Sequence, residues 1–315
     1  MPPIDLRTGL FIALVIVAIA FVWHLANAIR KTSQRKDDSA PDGRIAPSPW
    51  EIFVGVVTDF FDTLGIGSYA TTTALFRLRK TVPDEQIPGT LNIGHLIPTF
   101  VQAFIYITVV KVDAVTLVLM IVAAVVGAAI GARTVARWPR RPIQIGMGVA
   151  LLVAATLLIL GKAKLLPVGG EALALTDSRL AIGLAGNFVL GTLMPLGIGL
   201  YGPCMILVSL LGMNPSAAFP IMMGSCAFLM PVANIEFINR RRFRLPAALG
   251  LTLGGVPAVL VAALIVRQLD LEAVRWLVLA VVLYTATTLL MAAASERGQA
   301  STDGSTPGSR PVPSA

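Results

Sequence analysis

Seven apolar runs, at 10–29, 87–110, 114–135, 142–161, 216–238, 246–266 and 273–294, carry almost no charge. Each is about 20 residues long, which is what an α-helix needs to cross roughly 30 Å of hydrocarbon. A backbone inside lipid must satisfy its own N–H and C=O groups, so only helices and closed barrels span a bilayer. These runs are continuously apolar and rich in Ala, Leu, Val and Gly, whereas a barrel strand alternates over about ten residues. They predict an all-α integral membrane protein. Composition agrees, with 56% hydrophobic and 13% charged residues against roughly 25% charged in soluble domains.

The formal charge of +8 does not point to nucleic acid, because the basic residues fall in short clusters between apolar runs: RKTSQRK at 30–36, RLRK at 77–80, RWPRR at 137–141 and RRRFR at 240–244. In a membrane chain such clusters report sidedness first. Five parts follow: an N-terminal transmembrane helix (1–29), a basic cytoplasmic linker (30–48), a first repeat (49–165), a second repeat (179–294) and a disordered cytoplasmic tail (295–315). The first helix is expected to stay uncleaved with its N-terminus outside, since its apolar run exceeds a typical signal-peptide core and a basic cluster follows directly. Cys204 and Cys226 lie in apolar segments with no metal-site or redox spacing and read as small packing residues. No cofactor or metal is expected.

The repeat rests on one offset. Leu64-Gly65-Ile66-Gly67 recurs as Leu196-Gly197-Ile198-Gly199, Tyr69 as Tyr201, Pro83 as Pro215 and Pro88 as Pro220, all 132 positions apart. A G-x-x-x-G in the third run of each half, Gly127 with Gly131 and Gly250 with Gly254, allows close helix approach. Both LGIG copies sit in long interrupted runs, 50–79 and 180–212, each either one broken spanning helix or a re-entrant hairpin. Charge bias favours hairpins. With two hairpins all four basic clusters share one face, leaving Arg7, Lys111, Lys162, Lys164, Arg179, Arg267 and Arg275 of the 25 Lys and Arg on the other; with two full spans the clusters would be split, against the positive-inside rule. Each half is then one hairpin plus three spans, and the halves are inverted. Paired, Gly-interrupted segments in inverted halves are the sequence pointer to a secondary transporter's central site.

Chemistry follows from the breaks. Glycine tolerates left-handed backbone and lets a ligand approach the main chain, and the helices resuming near Ser68 and Leu200 should present unpaired N–H groups and a positive dipole end, suited to an anion. The plainer alternative is that the glycines only permit tight packing or a kink. Candidate anion-binding residues are Gly65, Gly67, Ser68, Tyr69, Thr71, Thr72, Asn92 and His95 in the first half, and Gly197, Gly199, Tyr201, Gly202, Gly224 and Ser225 in the second. Hydroxyls suit oxyanions as donors, although a membrane Thr often bonds its own i−4 carbonyl. Intramembrane ionisable groups are functional candidates by default, so Asp59, Asp62 and His95 are assigned to proton coupling. Ionised aspartates would repel an anion, which requires them to be protonated, paired or part of a relay.

The two LGIG turns, with IPGTLNIG and FPIMMGSC following them, resemble the sulfite exporter TauE/SafE family of bacterial membrane proteins over residues 50–292. The family pattern has a more glycine-rich turn followed by proline. Here Pro203 follows the second turn, while Thr71 holds the aligned place after the first. The resemblance implies export of sulfite or a related organosulfonate across the bacterial inner membrane. A small anion, the lipid bilayer, protons and a homodimer are the expected partners. The alternatives are an anion channel and a transporter of another small anion such as a carboxylate. An enzyme is not expected: there is no H-E-x-x-H, Ser/Lys pairing or Cys/His cluster, and only two histidines occur.

Overall fold

The computed structural model describes residues 5–34, 44–165, 169–197 and 199–265, with 283, 286–287, 290–291 and 293–294 near the C-terminus. Among them the protein is all helical, with no strand beyond an isolated bridge between Ala172 and Met213. The helices are α1 (Leu6–Gln34), α2 (Pro49–Thr63), α3 (Tyr69–Leu78), α4 (Ile87–Gly94), α5 (Leu96–Val109), α6 (Ala114–Val135), α7 (Arg140–Lys162), α8 (Asp177–Leu193), α9 (Tyr201–Leu210), α10 (Ala218–Asn239) and α11 (Leu245–Ile265). Among the described residues six segments are long and apolar enough to cross a membrane: Leu6–Asn27, Asp84–Val109, Ala114–Val135, Asp177–Leu196, Pro215–Asn239 and Leu245–Leu264. This is a multi-pass membrane protein. The run 273–294 and the tail 295–315 lie largely or wholly outside the described residues. Helix α1 continues to Gln34, into the stretch read as linker.

Local chemistry explains where the central helices start and stop. Ser48 caps α2 through a capping box: Glu51 N–H donates to Ser48 Oγ at 3.3 Å, and Ser48 N–H donates to Glu51 Oε2 at 2.6 Å. Glu51 is fully buried and is also met by Arg44 at 3.1 Å. At the other end the first LGIG is a Schellman stop: Ile66 N–H donates to Phe61 C=O at 3.1 Å, Gly65 N–H donates to Asp62 C=O at 2.8 Å, and Gly65 sits at φ +85°. A second left-handed glycine, Gly67 at φ +88°, re-aims the chain before α3 begins. The second copy stops α8 through a 3-10 turn, Met194–Leu196, and Gly197 at φ +89°.

Two helix pairs, α2 with α11 and α6 with α8, form the frame, and each joins a helix before Lys164 to one that starts at Asp177 or later. Glycine permits these contacts. A Cβ on Gly254 would fall 2.1 Å from Ile52 C=O, and one on Gly131 would fall 2.0 Å from Thr192 C=O, so in each pair a backbone rests on a backbone. Outward-facing Ile16, Ile19 and Trp23 on α1 and Val122, Val126 and Ile130 on α6 are exposed, as lipid-facing positions are.

Contacts at the ends of the helices sort them into two groups. The Arg79 guanidinium lies 3.9 Å over the Trp50 ring, so the end of α3 meets the start of α2. Arg77 pairs with Asp84, Gln144 donates to Asp84 at 2.9 Å, and Arg244 N–H donates to Thr90 Oγ1 at 2.9 Å. Elsewhere, Gly212 after α9 approaches Arg179 near the start of α8, Asp113 N–H donates to Leu173 C=O at 2.9 Å, and Arg7 donates to Val112 C=O at 2.7 Å.

The run 87–110, expected as one span, is bent at His95. Pro98 has no N–H for the Gly94 carbonyl four residues back, and that carbonyl instead accepts from Thr252 Oγ1 on α11 at 2.8 Å. The bend places His95 in the middle of the molecule.

Candidate functional site

Helix α2 presents Asp59 and Asp62 one turn apart at its C-terminal end, both buried. Asp59 receives the His95 ring: Nδ1 lies 2.9 Å from Oδ1 and 3.0 Å from Oδ2. The other ring nitrogen, Nε2, is 3.0 Å from Thr72 Oγ1 on α3. Asp59, His95 and Thr72 are all fully buried, so the carboxylate fixes the ring and the ring reaches across to the helix behind the LGIG turn. Room for the carboxylate comes from Gly255 on α11, where a Cβ would fall 2.1 Å from Asp59 Oδ2.

Asp62 takes a different partner. Gln102 Nε2 donates to Asp62 Oδ2 at 2.9 Å and to Thr63 Oγ1 at 3.0 Å, while Gln102 Oε1 accepts from the Tyr201 hydroxyl at 2.9 Å. One buried amide thereby joins the first half's carboxylate to the tyrosine that follows the second LGIG. Tyr106 donates to Thr63 C=O and stacks on Phe219 with ring centroids 5.0 Å apart, closing one side of the turn.

Both turns converge on one cavity. Its lining includes Asp62, Gly67, Ser68, Tyr69, Gly199 and Tyr201, with Met194, Met230 and Cys226 as its apolar wall. Tyr69 is 6% exposed, and its hydroxyl has no hydrogen-bond partner, a costly state for a buried donor. Among the described residues no Lys or Arg lines the space. Around it lie the first N–H groups of α3 and α9, which have no intrahelical partner. The free volume is about 10 Å³, room for about one water at most.

The other sequence candidates are placed as follows. Gly65 and Gly197 make the left-handed turns themselves, beside Phe219 and Met147 respectively. Thr71 spends its hydroxyl on Gly67 C=O at 3.1 Å. Asn92 Nδ2 donates to Pro88 C=O at 2.9 Å within its own helix, outside the cavity wall. Gly202 is in the first turn of α9. Gly224 lies against Ile121, where a Cβ would meet Cδ1 at 2.8 Å, and Ser225 accepts from Asn187 on α8 at 3.1 Å; both serve the packing of α10 rather than the cavity. Sequence reading missed Gln102 and Thr63, which share the Asp62 network, and Thr99, which lines the cavity. A lone amide in LIPTFVQAFIYITV was the available signal, because a buried polar side chain in an apolar run needs a partner.

A family model described as Sulfite exporter TauE/SafE matches residues 2–158. The match covers α1 through most of α7 and includes the first LGIG and the Asp59, Asp62, His95 and Gln102 cluster, whereas the sequence resemblance spans 50–292. No curated protein and no solved structure matched the chain. On the family match and on six segments long enough to span a bilayer, the chain is a membrane transporter belonging to the sulfite exporter TauE/SafE family.

Proposed function

We propose that the protein is a secondary transporter that exports a small oxyanion, sulfite or a related organosulfonate, by alternating access around the two LGIG breaks. The observation that carries this reading is the convergence of both breaks on one cavity walled by Gly67, Ser68, Tyr69, Gly199 and Tyr201. Backbone N–H groups at two helix starts and a buried tyrosine hydroxyl without a partner offer donors to an oxyanion without a buried cation.

The end contacts support two inverted hairpins. α2 and α3 come together at Trp50 and Arg79, and α8 and α9 at Arg179 and Gly212, so we read the hairpins as opening to opposite faces with their turns meeting between. α2, at 15 residues, is about 22 Å long at 1.5 Å per residue, short of a full span. The face carrying the basic clusters is cytoplasmic by the positive-inside rule, which puts the N-terminus outside. The membrane is the bacterial inner membrane, and direction and sulfur chemistry rest on the family.

A cavity of about 10 Å³ admits no sulfite, so the halves must part on one side before an anion enters. That requirement favours a transporter over a standing pore. Asp59, Asp62 and His95 are the proton-coupling groups in this reading.

Flux into proteoliposomes tests it, with sulfite, sulfate, thiosulfate, sulfoacetate and simple carboxylates compared. Saturable flux of sulfite or a sulfonate, without single-channel steps in a planar bilayer, is the expected result. Unitary currents would overturn the transporter in favour of a channel, and flux confined to carboxylates would overturn the substrate class.

A further inference from the structure

Gln102 is placed to do more than fill space. It is fully buried on α5, and its two amide ends face groups of opposite need: Nε2 donates to Asp62 and Thr63, and Oε1 accepts the Tyr201 proton. This orientation suits an ionised Asp62, which can only accept hydrogen bonds. It also consumes the one proton that Tyr201 could offer to the cavity it lines.

The carboxyl stands among Asp59 on its own helix, His95 at the α4–α5 bend, Tyr106 on α5, Tyr69 on α3, Tyr201 on α9 and Cys226 on α10. Helix α11, packed along α2, contributes no titratable residue to it. Among these groups His95 is already committed to Asp59 and Thr72, and no lysine or arginine pairs with Asp62 among the described residues. An anion in the cavity would therefore sit beside an uncompensated carboxylate, and like charges in a low-dielectric space repel strongly.

We infer that Gln102 is an amide switch: when Asp62 takes a proton the amide turns over, Asp62 donates to Oε1, Nε2 donates to the Tyr201 oxygen, and the Tyr201 hydroxyl proton is released toward the cavity. Thr63, which now donates to Asp59 C=O at 2.8 Å, can rotate to donate to the relocated Oε1. The Asp62 O–H forms as an O–H of hydronium breaks and leaves water, while the Tyr201 O–H stays intact and only turns. Protonation thus does two things at once: it removes the repelling charge and supplies a donor. Proton and anion binding become positively linked, and by reciprocity each raises the affinity for the other.

The inference rests on the anion reading of the cavity, but its first test needs no ligand. Infrared difference spectra of the lipid-reconstituted protein, acidic minus alkaline, should show a protonated-carboxyl band that Asp62→Asn removes and, with the same midpoint, a tyrosine band that Tyr201→Phe removes. In Gln102→Met the carboxyl band should remain and the tyrosine response should vanish. If Gln102→Met does not fold, Gln102→Asn, which keeps an amide too short to bridge, serves the same purpose. A tyrosine band that ignores Asp62 protonation, or that responds equally in either Gln102 variant, overturns the switch, as does the absence of any band lost in Asp62→Asn.

The second arm titrates isethionate, a sulfonate whose charge is constant over this range. Wild-type affinity should fall about tenfold per pH unit above the infrared midpoint, while Asp62→Asn should bind with affinity independent of pH. Coupled infrared bands without binding of isethionate or sulfite would leave the switch standing and sink the anion reading. Binding of equal strength at all pH values in the wild type would overturn the linkage.

Discussion

His95 Nε2 lies 3.0 Å from Thr72 Oγ1, linking the bend between α4 and α5 to the helix that resumes after the first LGIG. Because Asp59 holds Nδ1, the ring cannot turn away, and Thr72 is the group that senses what the ring does. Thr72→Val keeps the volume and removes the hydroxyl, leaving Nε2 buried without a partner at a cost of about 1–3 kcal/mol. Flux in proteoliposomes should fall at least tenfold while Thr72→Ser stays near wild type. Thr71→Val is the matched control, since Thr71 bonds only its own turn at Gly67 and should change flux less than twofold.

The two LGIG copies, alike in letters, should respond differently to the same substitution. Gly67 holds φ +88° with nothing within 4 Å of an added Cβ, so Gly67→Ala meets no clash but must adopt a left-handed backbone. That costs about 1–2 kcal/mol, and a β-branched Val costs more. Gly199 has no left-handed φ, and its nearest neighbour is Tyr69 Cβ at 4.0 Å. Gly199→Ala should thus keep the wild-type melting temperature, where Gly67→Ala should lower it, and Gly67→Val should lower it further and abolish flux. Equal effects at both positions would show that strain is not what separates them.

Much of this architecture is written in patterns that a single chain displays. Run length marked five of the six described segments long enough to span, while the sixth, Asp177–Leu196, lies in a run read as a hairpin, and the 132-residue offset picked out Tyr69 and Tyr201, which do line one cavity. The Schellman stop at Phe61–Ile66 could be read from Gly65 alone. The His95 bend could not, because it depends on which neighbour accepts the work of the missing Pro98 N–H, and Thr252 is 158 residues from Gly94. Gln102 was hidden for the same reason: its partners Asp62 and Tyr201 come from different halves. Gly224 falls at the 132 offset from Asn92, yet it and its neighbour Ser225 face Ile121 and Asn187, since an offset fixes a position along a helix and not the neighbour it meets.

Gly255 differs from Gly254 beside it on α11 in facing the Asp59 side chain, where Gly254 faces the Ile52 backbone. Its absent Cβ leaves the space that Asp59 Oδ2 and Pro98 Cγ fill, at 2.1 and 2.6 Å from where that atom would be. Gly255→Ala must push the carboxylate off His95, so transport should be lost to the same degree as in Asp59→Asn. Combining the two should cost little more than either alone, because they break one interaction. Fully additive losses of flux would place Gly255 outside the Asp59–His95 unit. Gly9→Ala on α1, where nothing lies within 4 Å, should be neutral.

The α6–α8 contact sets how firmly the second turn is held, and here the nature of the opposing atom decides the outcome. At Gly131 an added Cβ would fall 2.0 Å from Thr192 C=O and 2.8 Å from its carbonyl carbon. Backbone in a packed helix cannot yield by rotating a side chain, so the helices must separate, at about 1–3 kcal/mol for overpacking. Gly146 on α7 is the contrasting case, because its nearest neighbour is Leu196 Cδ2 at 3.0 Å, the flexible end of a side chain. Thermal unfolding in detergent should therefore show Gly131→Ala melting several degrees below wild type and Gly146→Ala within a degree or two of it. Since α8 leads directly into Met194–Leu196 and Gly197, Gly131→Ala should also weaken anion-dependent thermal stabilisation. A variant that melts early yet binds sulfite with unchanged affinity would show that the turn is held by its own left-handed glycine and not by the α6–α8 frame.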